Sequence, residues 1–200
     1  MPSNSMLSHL RPAGLMVVLF TLLLGLAFPL GFVGAGSLVL PNAATGSVVM
    51  VDGHPVGSSL IGQAFTSPRY FHSRLSAITG TDPKDASKTV PTPYDASTST
   101  ASNLGPTSKT LVDRVKGDLP AAGGKGAPGD AVTTSGSGLD PDISPENASR
   151  QIGRIAAARH LSHDQLVQLV EAQTHGRELG LLGSPRVNVL SLNLTLDRLR

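Results

Sequence analysis

The segment from Gly14 to Gly36 reads GLMVVLFTLLLGLAFPLGFVGAG and contains no charged side chain. Its large apolar residues would surround a helix on all sides, whereas a soluble amphipathic helix carries one apolar stripe. As a helix the segment is about 35 Å long, slightly more than a hydrocarbon core of roughly 30 Å. The sequence therefore predicts one transmembrane helix over residues 13–36, preceded by a tail of residues 1–12. Pro29 indicates a kink in this helix.

A cleaved signal peptide is the alternative interpretation of the same segment. Arg11 would supply its positive charge, and Val33 and Ala35 form the small-residue pattern of a cleavage site. The apolar part of a signal peptide is usually about 7–15 residues long, and the segment here is considerably longer. Retention as an anchor is therefore favoured, although the sequence leaves cleavage open.

The charges that flank the helix predict its orientation. Arg11 precedes the helix, whereas no Lys or Arg follows it before Arg69. The positive-inside rule then places residues 1–12 in the cytoplasm and residues 37–200 on the other side of the membrane. We expect a single-pass protein with an extracytoplasmic soluble domain.

The soluble region mixes strand and helix signals, which predicts an α+β domain. The predicted strands are residues 47–51 and 59–65 around a turn at Asp52 and Gly53, residues 132–134, and residues 186–193. Four helices are predicted. The first begins at Pro106 and ends at Gly117, and the second begins after the cap Ser144. The third runs from the capping box of Ser162 and Gln165 to Gly176, and the fourth covers residues 192–199. Residues 79–105 contain few large apolar groups and predict a long irregular loop.

Composition excludes several classes of function. The formal net charge is only +2, the cations are scattered, and two Tyr with no Trp leave few rings to stack on bases, so a nucleic-acid partner is not expected. Cysteine is absent, which excludes disulfides, thiolate zinc sites and a cysteine nucleophile.

Two glycine-rich segments are candidates for phosphate binding. The segment Gly123, Gly124, Lys125, Gly126 lacks the hydroxyl residue that follows the lysine of a P-loop, and Pro128 comes soon after, so a flexible linker is favoured. The segment from Ser135 to Gly138, with Gly136 and Ser137 between them, could offer backbone amides to an anion. The same residue types also form ordinary turns.

Carboxylates and histidines support weaker hypotheses of catalysis and metal binding. Asp140, Asp142 and Glu146 could form a paired-carboxylate centre in principle, but a structural interpretation is favoured, with a turn at Asp140 and favourable charges of Asp142 and Glu146 at a helix N-terminus. His160 and His163 flank a break between helices without a third ligand at a metal-binding spacing. We therefore expect no catalytic group and no metal site.

Several phrases, taken in order, resemble the C subunit of the Kdp potassium-transporting ATPase. They are SSLIGQAF (58–65), Arg69 to Phe71, Tyr94 to Ala96, SNLGPT (102–107), VTTSGSGLDPDIS (132–144), Gln151 with Arg154, and LGSPRVNVLSL (182–192). The chain departs from the family pattern at Asp142, where His is common, and at Leu75, where Pro is common.

The resemblance implies an accessory, non-catalytic subunit of a high-affinity potassium uptake complex in the bacterial inner membrane. Its partners would be a channel-like A subunit, an ATP-hydrolysing P-type B subunit and a small F peptide. The phosphorylated Asp-Lys-Thr-Gly motif of such pumps is absent, and residues 79–82 contain related letters in the wrong order. The chain is thus not expected to be the hydrolysing subunit.

The resemblance also implies a catalytic chaperone that raises the ATP affinity of the B subunit, with Ser135, Gly136, Ser137 and Gly138 as the proposed nucleotide-binding loop. The predicted topology opposes direct contact, because cytosolic ATP cannot reach a loop outside the membrane. Any effect on hydrolysis would then pass through subunit contacts. A membrane-anchored extracytoplasmic hydrolase or nucleotide-binding domain is the alternative function.

Overall fold

The computed structural model describes residues 6–199 of the chain, which divides between Val48 and Val49 into two units. Residues 1–5 of the predicted tail (residues 1–12) and residue 200 therefore lie outside the described residues.

The N-terminal unit is almost entirely helical. It comprises α1 (Met6–Leu22), a π-helical turn (Leu23–Ala27), α2 (Phe28–Val39) and the short α3 (Pro41–Ala44). Helical structure thus extends beyond the predicted residues 13–36 at both ends. Pro29 lacks an N–H and its ring crowds the carbonyl four residues earlier, at Gly25. The π turn contains Gly25, so the irregularity predicted at Pro29 is a widened turn just before it.

The apolar side chains of this helix have no protein core to pack against within the unit. Leu15, Phe20 and Leu24 are at least half exposed. In the part of the chain that the structure describes, residues 8–39 form the one helix that is long and apolar enough to cross a membrane. The first unit therefore has the form of a membrane anchor.

The second unit contains helices and strands, and the strands form three small sheets. The strands are β1 (Val48–Val51), β2 (His54–Ser58), β3 (Thr79–Asp82), β4 (Asp85–Pro91), β5 (Asp142–Ile143), β6 (Thr174–His175) and β7 (Arg186–Asn188). The helices are α4 (Lys109–Asp118), α5 (Gly129–Val132), α6 (Pro145–Arg159), α7 (His163–Ala172) and α8 (Val189–Arg198). β1 pairs with β2, β3 with β4, and the third sheet has the order β5–β7–β6. The predicted α+β composition is confirmed.

The first hairpin is shorter than predicted. Asp52 and Gly53 both have positive φ, at 49° and 79°, as two-residue hairpin turns require. Pairing therefore resumes at once in β2, and the predicted strand at 59–65 is wrong. Residues of that segment hydrogen-bond elsewhere, as in Gly62, whose N–H donates to the carbonyl of Leu139 at 2.8 Å.

The predicted irregular loop over residues 79–105 is wrong in its first part, which forms the hairpin of β3 and β4. Thr79 pairs with Pro91 and Thr81 with Thr89. The strands consist mainly of exposed polar residues, so their sequence lacks the alternation of apolar and polar positions that would predict a strand.

Two further predictions required correction. The helix predicted from Pro106 begins at Lys109, because Ser108 caps it by accepting a hydrogen bond from the N–H of Leu111. The strand predicted at 132–134 is wrong, since Val132 ends the helix α5. Only an isolated bridge between Thr134 and Leu75 is strand-like there among the described residues.

The N-termini of α6 and α7 are confirmed, whereas the helix predicted over 192–199 begins earlier, at Val189. Ser144 caps α6 with Pro145 at its first position, and Ser162 and Gln165 form the predicted capping box of α7. α7 ends at Ala172 instead of Gly176, and β6 follows. The strand predicted over 186–193 ends at Asn188, because the Asn188 side chain caps α8 by accepting from the N–H of Ser191 at 3.0 Å.

The hydrophobic core of the second unit lies between the third sheet and α6, α7 and α8. Its fully buried members are Phe71, Ile143, Ala148, Ile152, Ile155, Leu166, Val187, Val189, Leu192 and Leu196. Phe71 comes from an irregular segment of the chain, so polar groups beside it must be satisfied by side chains.

Candidate functional site

The irregular segment that carries Phe71 is held by side-chain amides. The N–H of Phe71 donates to Oδ1 of Asn193 at 2.8 Å, and Nδ2 of Asn193 donates to the carbonyl of Phe71 at 2.9 Å. Gln151 pairs in the same way with His72, at 2.8 and 3.0 Å. Asn193 and Gln151 are buried, at 2% and 3% exposure, and both are satisfied by this pairing. The two amides therefore replace the neighbouring strand that this segment lacks.

Two arginines extend the same clamp to residues 68–70. Arg154 donates to the carbonyls of Pro68 and Tyr70 at 2.6 and 2.9 Å. Arg159 donates to the carbonyl of Arg69 at 2.7 Å, and its guanidinium pairs with Asp197 at 2.6 Å. These contacts, together with those of Gln151 and Asn193, hold the backbone of residues 68–72 against α6 and α8.

The segment from Ser135 to Gly138 is a turn whose amides are partly used within the domain. The Ser135 hydroxyl accepts from the N–H of Gly138 at 2.8 Å, and the Ser137 hydroxyl accepts from the N–H of Leu139 at 3.1 Å. The carbonyl of Ser137 accepts from the N–H of Thr100 at 3.0 Å. Ser135 is buried, whereas Gly136 and Ser137 are exposed. The turn thus has a structural role, and nucleotide binding by it stays a prediction.

Gly138 is the residue of this turn that only glycine fits. Its φ is +72°, and an added Cβ would lie 2.6 Å from Cγ1 of Ile78 and 2.8 Å from the carbonyl oxygen of Thr100. A Cβ on Gly136 would meet nothing within 4 Å. The close approach at Gly138 therefore explains one glycine of the motif without a ligand.

A cavity of about 400 Å³ lies at Asp140, two residues after this turn. Arg74, Asp130, Asp140, Asp142 and Arg186 line it together with Ile143, Ser144, Ser184 and Pro185. Arg74 forms an ion pair with Asp140 at 3.0 Å and also approaches the carbonyl of Thr134 at 3.4 Å. The other carboxylate oxygen of Asp140 accepts from the N–H of Asp142 at 3.0 Å. Both carboxylate oxygens of Asp140 thus have partners within the domain, which fits the predicted turn.

Asp142 is the second of the predicted carboxylates that line this cavity. Burial raises the pKa of its carboxyl, and the neighbouring charge of Asp140 adds to the rise. The Asn188 amide, Arg186 and His175 oppose the shift without cancelling it. Arg186 lies 3.4 Å from Asp142 and also pairs with Glu178 at 2.7 Å.

Asp130 completes the N-terminal cap of α6. Its carboxylate accepts from the N–H of Ser144 at 2.8 Å, from the Ser144 hydroxyl at 2.9 Å and from the Asn147 amide at 3.0 Å. Burial acts to raise the pKa of Asp130, but these three hydrogen bonds and the charge of Arg74 outweigh it, so the pKa lies below its usual range. No local pattern in the sequence links Asp130 to this helix.

Tyr94, which belongs to another phrase of the resemblance, also has a structural role. Its hydroxyl donates to the carbonyl of Arg74 at 2.7 Å, and burial raises its pKa to about 12. A Cβ on Gly62 would lie 2.4 Å from the ring of Tyr94. The two phrases that contain Gly62 and Tyr94 are thus in direct contact.

The remaining candidates are not brought together. Glu146 lies in the first turn of α6, separate from the residues that line the cavity. His160 is the left-handed C-cap of α6 and His163 begins α7. Within residues 6–199 no group of three metal-ligating side chains is close enough to hold a metal ion. Gly123, Gly124 and Gly126 all have positive φ, in a series of turns.

Comparison with known proteins accounts for almost the whole chain. Residues 10–198 match the family model described as "KdpC: K+-transporting ATPase, c chain". Curated relatives named potassium-transporting ATPase KdpC subunit are 59% identical in Methylobacterium nodulans, over 97% of this chain and 98% of the relative. The identity is 57% in Methylorubrum extorquens, over 96% and 97%, and 54% in Rhodopseudomonas palustris, over 96% and 98%. The match includes both the apolar helix and the α+β domain, so the chain belongs to the KdpC family of potassium-transporting ATPase subunits.

Proposed function

We propose that this chain is the accessory subunit of a Kdp potassium uptake complex in the bacterial inner membrane, with the A, B and F subunits as partners. The family match over residues 10–198 carries the proposal. The structure is in keeping with a non-catalytic role, because the polar groups described above chiefly bond to one another. In a bacterium without its own copy of the gene, the full chain should restore growth at limiting potassium. Failure of an expressed, membrane-bound chain to restore it would reject the proposal.

We propose that the helix crosses the membrane once and that the α+β domain is extracytoplasmic. Arg11 and the absence of Lys or Arg between the helix and Arg69 support this orientation. The anchor would then pack on the membrane part of the complex.

The domain is proposed to act as a catalytic chaperone that raises the ATP affinity of the B subunit through subunit contacts. Two observations support an indirect effect over direct ATP binding. The N–H groups of Gly138 and Leu139 already donate to serine hydroxyls, and the proposed orientation places the turn away from cytosolic ATP.

A membrane-anchored hydrolase or nucleotide-binding domain is the second candidate. The cavity beside Asp140 and Asp142 favours it, because Asp142 has a raised pKa and could hold a proton at a pH where an ordinary aspartate is ionised. Calorimetry of the full chain in detergent with ATP tests this function. Absence of heat exchange would reject nucleotide binding, and binding that Asp142→Asn abolishes would support it.

A further inference from the structure

The turn between β6 and β7 carries three leucines that the domain does not bury. Leu179, Leu181 and Leu182 are 90%, 80% and 62% exposed, whereas the core leucines 166, 192 and 196 are fully buried. Single exposed leucines are common on protein surfaces, but three within four residues form a patch. We call residues 178–182 the leucine turn.

Backbone hydrogen bonds make the leucine turn rigid. The N–H of Glu178 donates to the carbonyl of Leu182, and the N–H of Leu182 donates back to the carbonyl of Glu178, both at 2.9 Å. The Glu178 carboxylate is in turn paired with Arg186 of β7 at 2.7 Å. A surface held in one conformation loses little entropy when it binds a partner.

The backbone at Leu179 is unfavourable for a bulky residue. Its φ is +52°, a region that Gly and Asn adopt far more readily than Leu. The side chain is almost completely exposed, so packing within the domain does not offset this strain. The hydrogen bonds of the turn, including the one from the N–H of Leu181 to the carbonyl of Glu178 at 3.1 Å, hold Leu179 and Gly180 at positive φ, so the exposed leucines stand on a fixed backbone.

A second copy of this chain is a poor occupant for the leucine turn. Three leucine side chains offer on the order of 300 Å² of apolar surface, whereas a stable interface needs about 800 Å² from each partner. A subunit already joined to the same complex needs far less area, because the additional contact is intramolecular.

A lipid surface is also disfavoured. Interfacial lipid anchors typically carry aromatic rings together with unpaired Lys or Arg. The leucine turn contains no aromatic residue, and its one charged side chain is Glu178, whose pKa is lowered by the hydrogen bond from Arg186. An apolar pocket in a protein fits this combination better.

We propose, building on the proposed function, that the leucine turn docks into an apolar pocket on the extramembrane surface of another subunit of the transport complex. Leu179 and Leu181 are its anchors. The small apolar tip gives the contact its specificity, and the membrane-anchored complex supplies the remaining affinity.

Leu181→Ser tests the proposal, with Leu60→Ser as the matched control because Leu60 is 59% exposed elsewhere in the domain. The complex is purified through a tag on another subunit, and the fraction of this chain that remains after dilution is measured. We expect Leu181→Ser to raise the concentration at which half of this chain has dissociated from the complex about tenfold or more. Leu60→Ser should leave that concentration unchanged, and neither variant should change the melting temperature of the chain. Retention of Leu181→Ser equal to that of the native chain would overturn the proposal.

A photo-crosslinking residue at position 181 of the full chain identifies the occupant. A product with the mass of this chain plus another subunit is expected. Products with lipid alone, or with a second copy alone, would reject the docking pocket. If the native chain itself does not co-purify, the proposed function fails, whereas co-purification of both the native chain and Leu181→Ser removes only the leucine-turn proposal.

Discussion

The side chain of Asn193 forms both backbone hydrogen bonds of Phe71, at 2.8 and 2.9 Å, across 122 residues of sequence. This pairing joins α8 to an irregular segment in the centre of the domain. It lets Phe71 be fully buried without leaving its N–H and carbonyl unsatisfied.

Asn193→Ala should therefore be strongly destabilising. The change leaves two buried backbone groups without partners, at a cost of about 1–3 kcal/mol each. Thermal unfolding of the full chain in detergent should show a large drop in melting temperature. Gln168→Ala, which removes an exposed amide from α7, is the control and should have little effect. Equal melting of the two variants would contradict the assigned role of Asn193.

Gly138→Ala and Gly136→Ala separate structure from ligand binding in the serine-glycine turn. Gly138→Ala should cost more than about 2 kcal/mol, because the new Cβ meets Ile78 and a backbone oxygen at a positive φ. Gly136→Ala should leave stability unchanged, since the site is open. Chemical denaturation of both variants measures the difference. A Gly136→Ala variant that is stable but has lost ATP affinity in the assembled complex would show instead that the turn contacts nucleotide.

The raised pKa of Asp142 predicts a pH-dependent stability. The folded state holds the proton more tightly than the unfolded state, so this contribution is present below the ordinary aspartate pKa of about 3.9 and is lost as the pH rises through the folded value. Asp142→Asn should therefore raise the melting temperature relative to the native chain more at neutral pH than at about pH 4. Glu171→Gln, an exposed change in α7, is the control. A difference that does not change with pH would contradict the assignment.

A cysteine scan reads out the orientation directly, because the chain contains no cysteine. Ser137→Cys places a thiol at an exposed position of the domain. We expect a membrane-impermeant maleimide to label it in intact spheroplasts, and to label Ser3→Cys of the predicted tail only after the membrane is opened. The reverse pattern would place the domain in the cytoplasm and would reopen direct ATP contact.

Elements defined by local chemistry could be predicted from the sequence. The caps at Ser144 and Ser162 act within three residues, and the uncharged helix near Gly14 to Gly36 is specified by composition alone. The turn at Asp52 and Gly53 is equally local.

Features that depend on distant partners could not be predicted in this way. β3 and β4 are mostly polar and exposed, so their pairing leaves no apolar periodicity. The ion pair of Arg74 with Asp140 and the cap that Asp130 adds to α6 join residues whose proximity exists only in the folded domain. The sequence of the leucine turn is that of an ordinary loop, and only the structure shows that its three leucines are exposed.

The most direct test of the central claim is potassium-stimulated ATP hydrolysis by the purified complex, with the full chain and with a chain that ends after the anchor at Val48. If the domain is an accessory that couples the subunits, its removal should lower potassium-stimulated hydrolysis and raise the KM for ATP. Equal activity and equal KM in the two complexes would contradict the account.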